Sequence, residues 1–320
     1  MMMYGDTADE LYINAWWQMP NIWQQEGSRN GMVYTVPYPT ILTLHNPLAR
    51  VVFNPVRDAN PFFHLAEVVW MFAGSNDVRF VEQFNKRYRE YADEETDIVW
   101  GAYGSRWQNK HRGARGDQIQ EVINILHSDP QSRQAVISMW DPYADLGTGH
   151  NDRPCNTQIM FRVVNDKLDM LVTNRSNDLV WGALGANVVH FTYLQEVIAQ
   201  QIGVPLGTYR VVTNNLHFYP NMPRGEEHMK NSVFFDPELY PPTIPVLAEG
   251  EAWADLKADC RDYVMNAPSE RTKWFTELAE PMMTAYLNKK YRQDIILELP
   301  DCDWKKAALD WMGRRSTPRQ

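Results

Sequence analysis

Between residues 61 and 73 the chain reads Pro61-Phe62-Phe63-His64-Leu65-Ala66-Glu67-Val68-Val69-Trp70-Met71-Phe72-Ala73, apolar on nearly every side. A proline suits the first turn of a helix and Gly74 its end, so this run predicts a helix buried all round. Residues 157–173 follow another period: Ile159, Phe161 and Val163 share one face, Asn165-Asp166 turn the chain, and Leu168, Met170 and Val172 resume that face. Such alternation predicts a hairpin packed on one side. Val188, Phe191, Leu194, Val197 and Ile198 stand at helical spacing before Gly203 and predict a second, largely internal helix over 188–202. Runs at 135–140 and 211–213 read as further strands. These elements predict an α/β fold, a mixed sheet with helices on one face. No repeat or Gly/Ser-rich linker divides the chain, so residues 1–320 read as a single domain. The stretch 225–250, with Pro237, Pro241, Pro242 and Pro245, reads as an irregular excursion, and about 250–312 as a helical elaboration.

Composition narrows the function classes. With 320 residues and 44% hydrophobic content, the chain can bury a large core. A net charge of −9 argues against a broad nucleic-acid-binding face, though a few local arginines suffice for a small anion. No apolar run approaches a membrane span and no basic-then-apolar leader opens the chain, which predicts a soluble, cytoplasmic protein. Three scattered cysteines, Cys155, Cys260 and Cys302, indicate neither a disulfide framework nor a zinc site. No metal is expected.

The chemistry concentrates around Cys155. In Arg153-Pro154-Cys155-Asn156 it is followed about twenty residues later by Asn174-Arg175-Ser176-Asn177-Asp178, and then by Asn187. A thiol beside a fixed guanidinium favours the thiolate, the form that attacks electrophilic carbon. A lone cysteine is more often a small buried hydrophobe, and it is the neighbours that make Cys155 a candidate nucleophile. Glu67 stands inside the most apolar helix, where a carboxylate loses much of its hydration and is uncommon unless paired or functional.

In order and spacing, these residues resemble the thymidylate synthase superfamily. The resemblance covers roughly residues 20–225 and includes Ser28-Arg29-Asn30-Gly31, Glu67 with Trp70, Tyr103-Gly104-Ser105-Arg106-Trp107, Ser132-Arg133, Arg175-Ser176-Asn177-Asp178, Gly182, Asn187 and Asn215-Leu216-His217-Phe218-Tyr219. It implies a homodimer joined through the sheet and 5,10-methylenetetrahydrofolate as cosubstrate. Residue by residue it implies Cys155 as nucleophile at carbon 6 of a pyrimidine, with Arg175 lowering the thiol pKa or holding phosphate. Glu67 would pass protons through water, and Tyr103 would assist proton removal from carbon 5. Arg29, Arg175 and Ser176, with Arg133 reaching in from the partner, would clamp a nucleoside monophosphate. His217 and Tyr219 would bind the sugar hydroxyl, Asn187 would read the pyrimidine edge, and Asp178 would meet the pterin.

Departures from the family pattern point to the pyrimidine nucleotide 5-hydroxymethylases. Asn156 follows the cysteine where the synthases usually have histidine, Gln134 replaces a second arginine, and one extra residue precedes Asn187. Tyr88 stands at the position of a shielding tryptophan beside the folate, and the chain ends in the charged run Arg314-Arg315-Ser316-Thr317-Pro318-Arg319-Gln320 rather than a short apolar tail. A smaller ring with a polar tip admits water, so hydroxymethylation is expected instead of methylation. Asn187 can satisfy uracil or, turned over, cytosine. The altered loop and likeness to the cytidylate enzymes of nucleoside antibiotic biosynthesis favour CMP or dCMP. A dUMP hydroxymethylase or thymidylate synthase is the alternative enzyme. The reading from another class is an idle nucleotide- or folate-binding paralogue, against which Cys155, Glu67 and Asp178 all being present argues.

Overall fold

The computed structural model describes residues 1–28, 31–108, 116–222, 225–230 and 240–316. Its main sheet has six strands in the order β1-β4-β9-β7-β6-β5: β1 Met2–Gly5, β4 Thr40–Leu44, β9 Leu206–Thr213, β7 Lys167–Asn174, β6 Asn156–Val164 and β5 Val136–Ser138. β6 and β7 form the hairpin the alternation predicts, and both turn residues, Asn165 and Asp166, take positive φ (48° and 59°). Asn and Asp tolerate that backbone better than other L-residues. β7 and β9 run parallel, as do β1 and β4, so helices must cross between them. Ile159, Phe161, Leu168, Met170, Val172, Tyr209 and Val211 fill the inner face, while Gln158, Arg162, Thr173 and Arg210 stand on the other. A second small sheet, ordered β2-β3-β10-β8, contains β2 Gln24–Ser28, β3 Gly31–Thr35, β8 Asn177–Asp178 and β10 Leu216–Phe218.

Two central helices lie behind the inner face, Asn187–Ile202 packed on β7 and β9 and Pro61–Phe72 packed against Asn187–Ile202. Pro61–Phe72 is capped by Asn60, whose Oδ1 accepts from the backbone N–H groups of Phe62 and Phe63, and every residue except Phe63 is buried. Asn187–Ile202 ends at Gly203, which adopts the left-handed conformation (φ 72°) that glycine takes without a Cβ penalty. Helices can be apolar all round only if covered on both sides, and residues 240–316 supply the second cover. The helices Trp253–Val264, Glu280–Leu287, Arg292–Glu298 and Asp303–Ser316 pack outside, bringing Phe62 to 5.5 Å from Tyr286 and 5.4 Å from Trp311, and Phe72 to 5.3 Å from Trp253. Each large apolar side chain so buried contributes about 1.5–3 kcal/mol. The molecule therefore has three layers: sheet, central helices, outer helices.

A buried ion pair fastens the outer layer to the centre. The Arg50 guanidinium donates to Glu196 and lies 3.9 Å over the Tyr193 ring, while Glu196 Oε1 accepts the Val246 backbone N–H at 3.0 Å. The stretch 225–250 is less irregular than expected, because Gly225–Lys230 is helical; residues 231–239 lie outside the described part. Strand β9 also extends well beyond 211–213.

Candidate active site

Cys155 stands half-buried immediately before β6. The loop that presents it is held by Arg175: its backbone N–H bonds the Cys155 carbonyl at 2.9 Å, its Nε the Pro154 carbonyl at 3.1 Å, and its Nη2 the Arg153 carbonyl at 3.0 Å. Arg175 thus fixes the loop by its backbone N–H and its guanidinium, and the residue itself is exposed. Upstream of this loop, Arg106 grips Asp145 with two bonds of 2.7 Å and also donates to the carbonyls of Met139 and Trp100, a buried anchor for the segment that follows β5. Asn156 is fully buried. Its Nδ2 donates to Asn174 Oδ1 at 3.1 Å and to the Thr173 carbonyl at 2.9 Å, so it stitches β6 to β7 at their register shift.

On the central helix, Glu67 is 4% exposed, and its Oε1 accepts the Tyr88 hydroxyl at 2.7 Å. Burial and the adjacent Glu67 push the Tyr88 phenol well above its usual pKa, so it stays a donor. The other oxygen, Oε2, is 3.8 Å from Nδ1 of His190, which is 2% exposed. Neither Oε2 nor either His190 nitrogen has a hydrogen-bond partner among the described residues. The edge of Tyr103 meets the His190 ring at 5.6 Å. Burial raises the Tyr103 phenol too, and the neighbouring Cys155 and Asp152 add to the effect, with the Asn156 backbone N–H opposing it. Tyr91 senses Asp152, Asp178 and Cys155 in the same way and lies 5.5 Å from Tyr88. Glu67 thus contacts Tyr88, and through it Tyr91, and lies beside His190, which meets Tyr103; Asp152 and Cys155 are close enough to act electrostatically on the Tyr91 and Tyr103 phenols.

The small sheet carries Asp178 and His217, paired across β8 and β10. Asp178 Oδ1 caps the following helical turn, accepting from the backbone N–H groups of Val180 and Trp181 at 2.7 Å, and Oδ2 is buried without a hydrogen-bond partner among the described residues. Desolvation raises its pKa against the pull of His217 and the two backbone donors. His217 Nδ1 is 3.0 Å from Asn215 Oδ1 and 3.4 Å from Ser176 Oγ, and its ring meets the Tyr219 ring edge-on at 5.3 Å. Asn187 opens the second central helix at 8% exposure, with Nδ2 donating to Asn177 Oδ1 at 3.1 Å. Its altered approach loop wraps over buried Arg57, whose Nε donates to the Leu184 carbonyl at 3.3 Å. Arg133 is exposed just before the sheet-edge strand β5. Arg29 and residues 317–320 of the charged tail lie outside the described residues.

Sequence reasoning missed Tyr91, Asp152, His190, Asn177 and Arg57. His190 sits in an apolar helical run and Asn177 is the variable position of Arg-Ser-x-Asp, so neither carries a signal of its own. Among the described residues, no group of three His, Cys, Asp or Glu is placed to hold a metal ion, and no helix is long and apolar enough to cross a membrane.

The sequence that builds this site is similar to those of known proteins. The thymidylate synthase family profile covers residues 57–242. A deoxyuridylate hydroxymethyltransferase of Pseudomonas phage M6 is 39% identical over 311 residues, 90% of this chain and 87% of the relative. One of Bacillus phage SP01 is 37% identical over 190 residues, 57% of this chain and 49% of the relative. A thymidylate synthase of Francisella philomiragia is 28% identical over 203 residues, 60% of this chain and 72% of the relative.

Proposed function

This chain belongs to the thymidylate synthase family of one-carbon transferases, and on that footing we propose that it hydroxymethylates carbon 5 of a pyrimidine deoxynucleoside 5′-monophosphate, dUMP first. 5,10-Methylenetetrahydrofolate, the family's cosubstrate, supplies the one-carbon unit. The Asp178 Oδ2 atom, buried and without a hydrogen-bond partner among the described residues, is a fitting acceptor for a pterin N–H.

Cys155 adds as thiolate to carbon 6 and drives an electron pair onto carbon 5, which forms the new carbon–carbon bond. Tyr103 assists removal of the carbon 5 proton, and departure of the folate with its bonding pair leaves an exocyclic methylene. Water adds to that methylene while its proton passes toward Glu67; the ring double bond then re-forms and expels the Cys155 thiolate. What supports hydration over hydride transfer is the buried Tyr88–Glu67 hydrogen bond, a polar pair at the position that the resemblance assigns to the synthases' shielding tryptophan.

Uracil is favoured by the names of the relatives and by Asn187, whose Nδ2 is held by Asn177 so that Oδ1 is left to accept from ring N3–H. The expectation of cytosine is retained as a second reading because both amides can turn over together. Arg29, Arg175 and Ser176 hold the phosphate, and His217 and Tyr219 the sugar hydroxyl. The uncovered face of the main sheet joins two copies, with Arg133 serving the partner's site. A cytoplasmic setting suits this chemistry. The test is a mass-resolved product assay with CMP, dCMP, UMP and dUMP competing in the presence of methylenetetrahydrofolate. A hydroxymethyl product lost in Cys155→Ala supports the reading; a methyl product with dihydrofolate refutes it.

A further inference from the structure

We propose that Asn177 decides which pyrimidine is accepted, by holding the amide of Asn187 in one of two orientations. The inference rests on Asn187 being the base-reading group. Both residues are buried, Asn177 at 2% exposure, and the Asn187 Nδ2 to Asn177 Oδ1 bond at 3.1 Å is the contact between them. Asn177 cannot drift. Its backbone N–H bonds the Asn215 carbonyl at 2.9 Å, and β8 is paired to β10 through Leu216 and Asn177. Gly182 closes over the pair, since a Cβ there would lie 2.4 Å from Asn177 Oδ1 and 3.3 Å from Asn187 Nδ2.

The two ends of an amide have nearly the same shape and opposite hydrogen-bonding character. Asn177 Nδ2 is buried with no partner among the described residues, so turning Asn177 over breaks only its bond to Asn187. If Asn187 turns with it, the bond re-forms in reverse, from Asn177 Nδ2 to Asn187 Oδ1. The outward pattern of Asn187 is then inverted. In the first arrangement Oδ1 accepts from uracil N3–H and the spare Nδ2 hydrogen serves O4. In the second, Nδ2 donates to cytosine N3 and Oδ1 accepts from the 4-amino group. Base choice is therefore a property of the pair, and Asn177 is a positioning residue that need never touch the base.

The test is direct binding of dUMP and dCMP, each without folate, to the full-length protein and its variants. Asn177→Asp puts an acceptor-only group at this position, so Asn187 must keep Nδ2 toward it. The dCMP-to-dUMP Kd ratio should rise at least tenfold, since the reversed arrangement would set two acceptors face to face. Asn177→Ala releases Asn187 without adding charge and should bring the ratio toward unity; this variant also covers a failure of Asn177→Asp to fold. A ratio within threefold of wild type in both variants, or one that moves toward dCMP in Asn177→Asp, overturns the proposal. Should the wild-type protein bind neither nucleotide, the functional reading itself falls.

Discussion

Replacing Tyr88 by phenylalanine removes one oxygen from the candidate site and little else. The ring keeps its neighbours, Phe63 at 5.9 Å, Trp70 at 5.6 Å and Tyr91 at 5.5 Å, so the packing around it should survive. What disappears is the 2.7 Å donation to Glu67 Oε1. A hydrogen bond to a charged group is worth about 1.5–3 kcal/mol, and the deletion leaves a second oxygen of the same carboxyl without its partner. At about 1.4 kcal/mol per decade, that predicts a fall of roughly 10- to 150-fold in any step that needs Glu67 aligned. Tyr88 is assigned no contact with phosphate or sugar, so nucleotide affinity should change by less than about threefold, an energy under 1 kcal/mol. Single-turnover product formation, measured beside equilibrium nucleotide binding, separates the two. The reasoning is refuted if turnover stays within twofold of wild type, or if the loss appears wholly as weaker nucleotide binding.

Tyr88→Trp tests the product: a larger ring without the hydroxyl should exclude water and raise the methyl share, read by mass and by dihydrofolate absorbance, and an unchanged hydroxymethyl product would remove the role given to Tyr88. Glu196→Gln strands the buried Arg50 guanidinium and should lower unfolding stability in urea by about 3–5 kcal/mol; a loss below about 1 kcal/mol would show that the pair does not fasten the outer layer. Burial raises the Asp9 carboxyl to about 7 despite backbone N–H donors from Phe53 and Asn54. The folded state then holds a proton that the unfolded state has released, so this contribution is fully present below about pH 4 and is lost as pH rises through about 7. Melting temperature across that window should fall in wild type relative to Asp9→Asn, and parallel profiles would contradict it.

The central helices and the hairpin were legible because burial on one or all sides leaves a period in the sequence. The first 45 residues were not. Strand β2, Gln24–Ser28, is exposed throughout and has no apolar alternation, so only its pairing with β3 defines it. β1 is four residues long, too short for a period to show. Glu67 could be picked out as a charge in an apolar helix, while His190 could not, since a histidine among Val188, Val189 and Phe191 reads as core until Glu67 is found 3.8 Å away. Asn177 needed its partner in space, for no spacing rule links it to Asn187.

The outer helices set the order in which the chain can become whole. Phe62 rests on Trp311, and Arg50 shares Glu196 with the backbone of Val246, so the earlier central helix is sealed by residues made long after it. Such distant pairings pay their loop-closure entropy before they return any stability, which slows folding. On a ribosome, the cysteine loop and its hairpin would already be outside while the glutamate helix still exposed an apolar flank. That interval is when the nascent chain is most prone to aggregation and most dependent on chaperones.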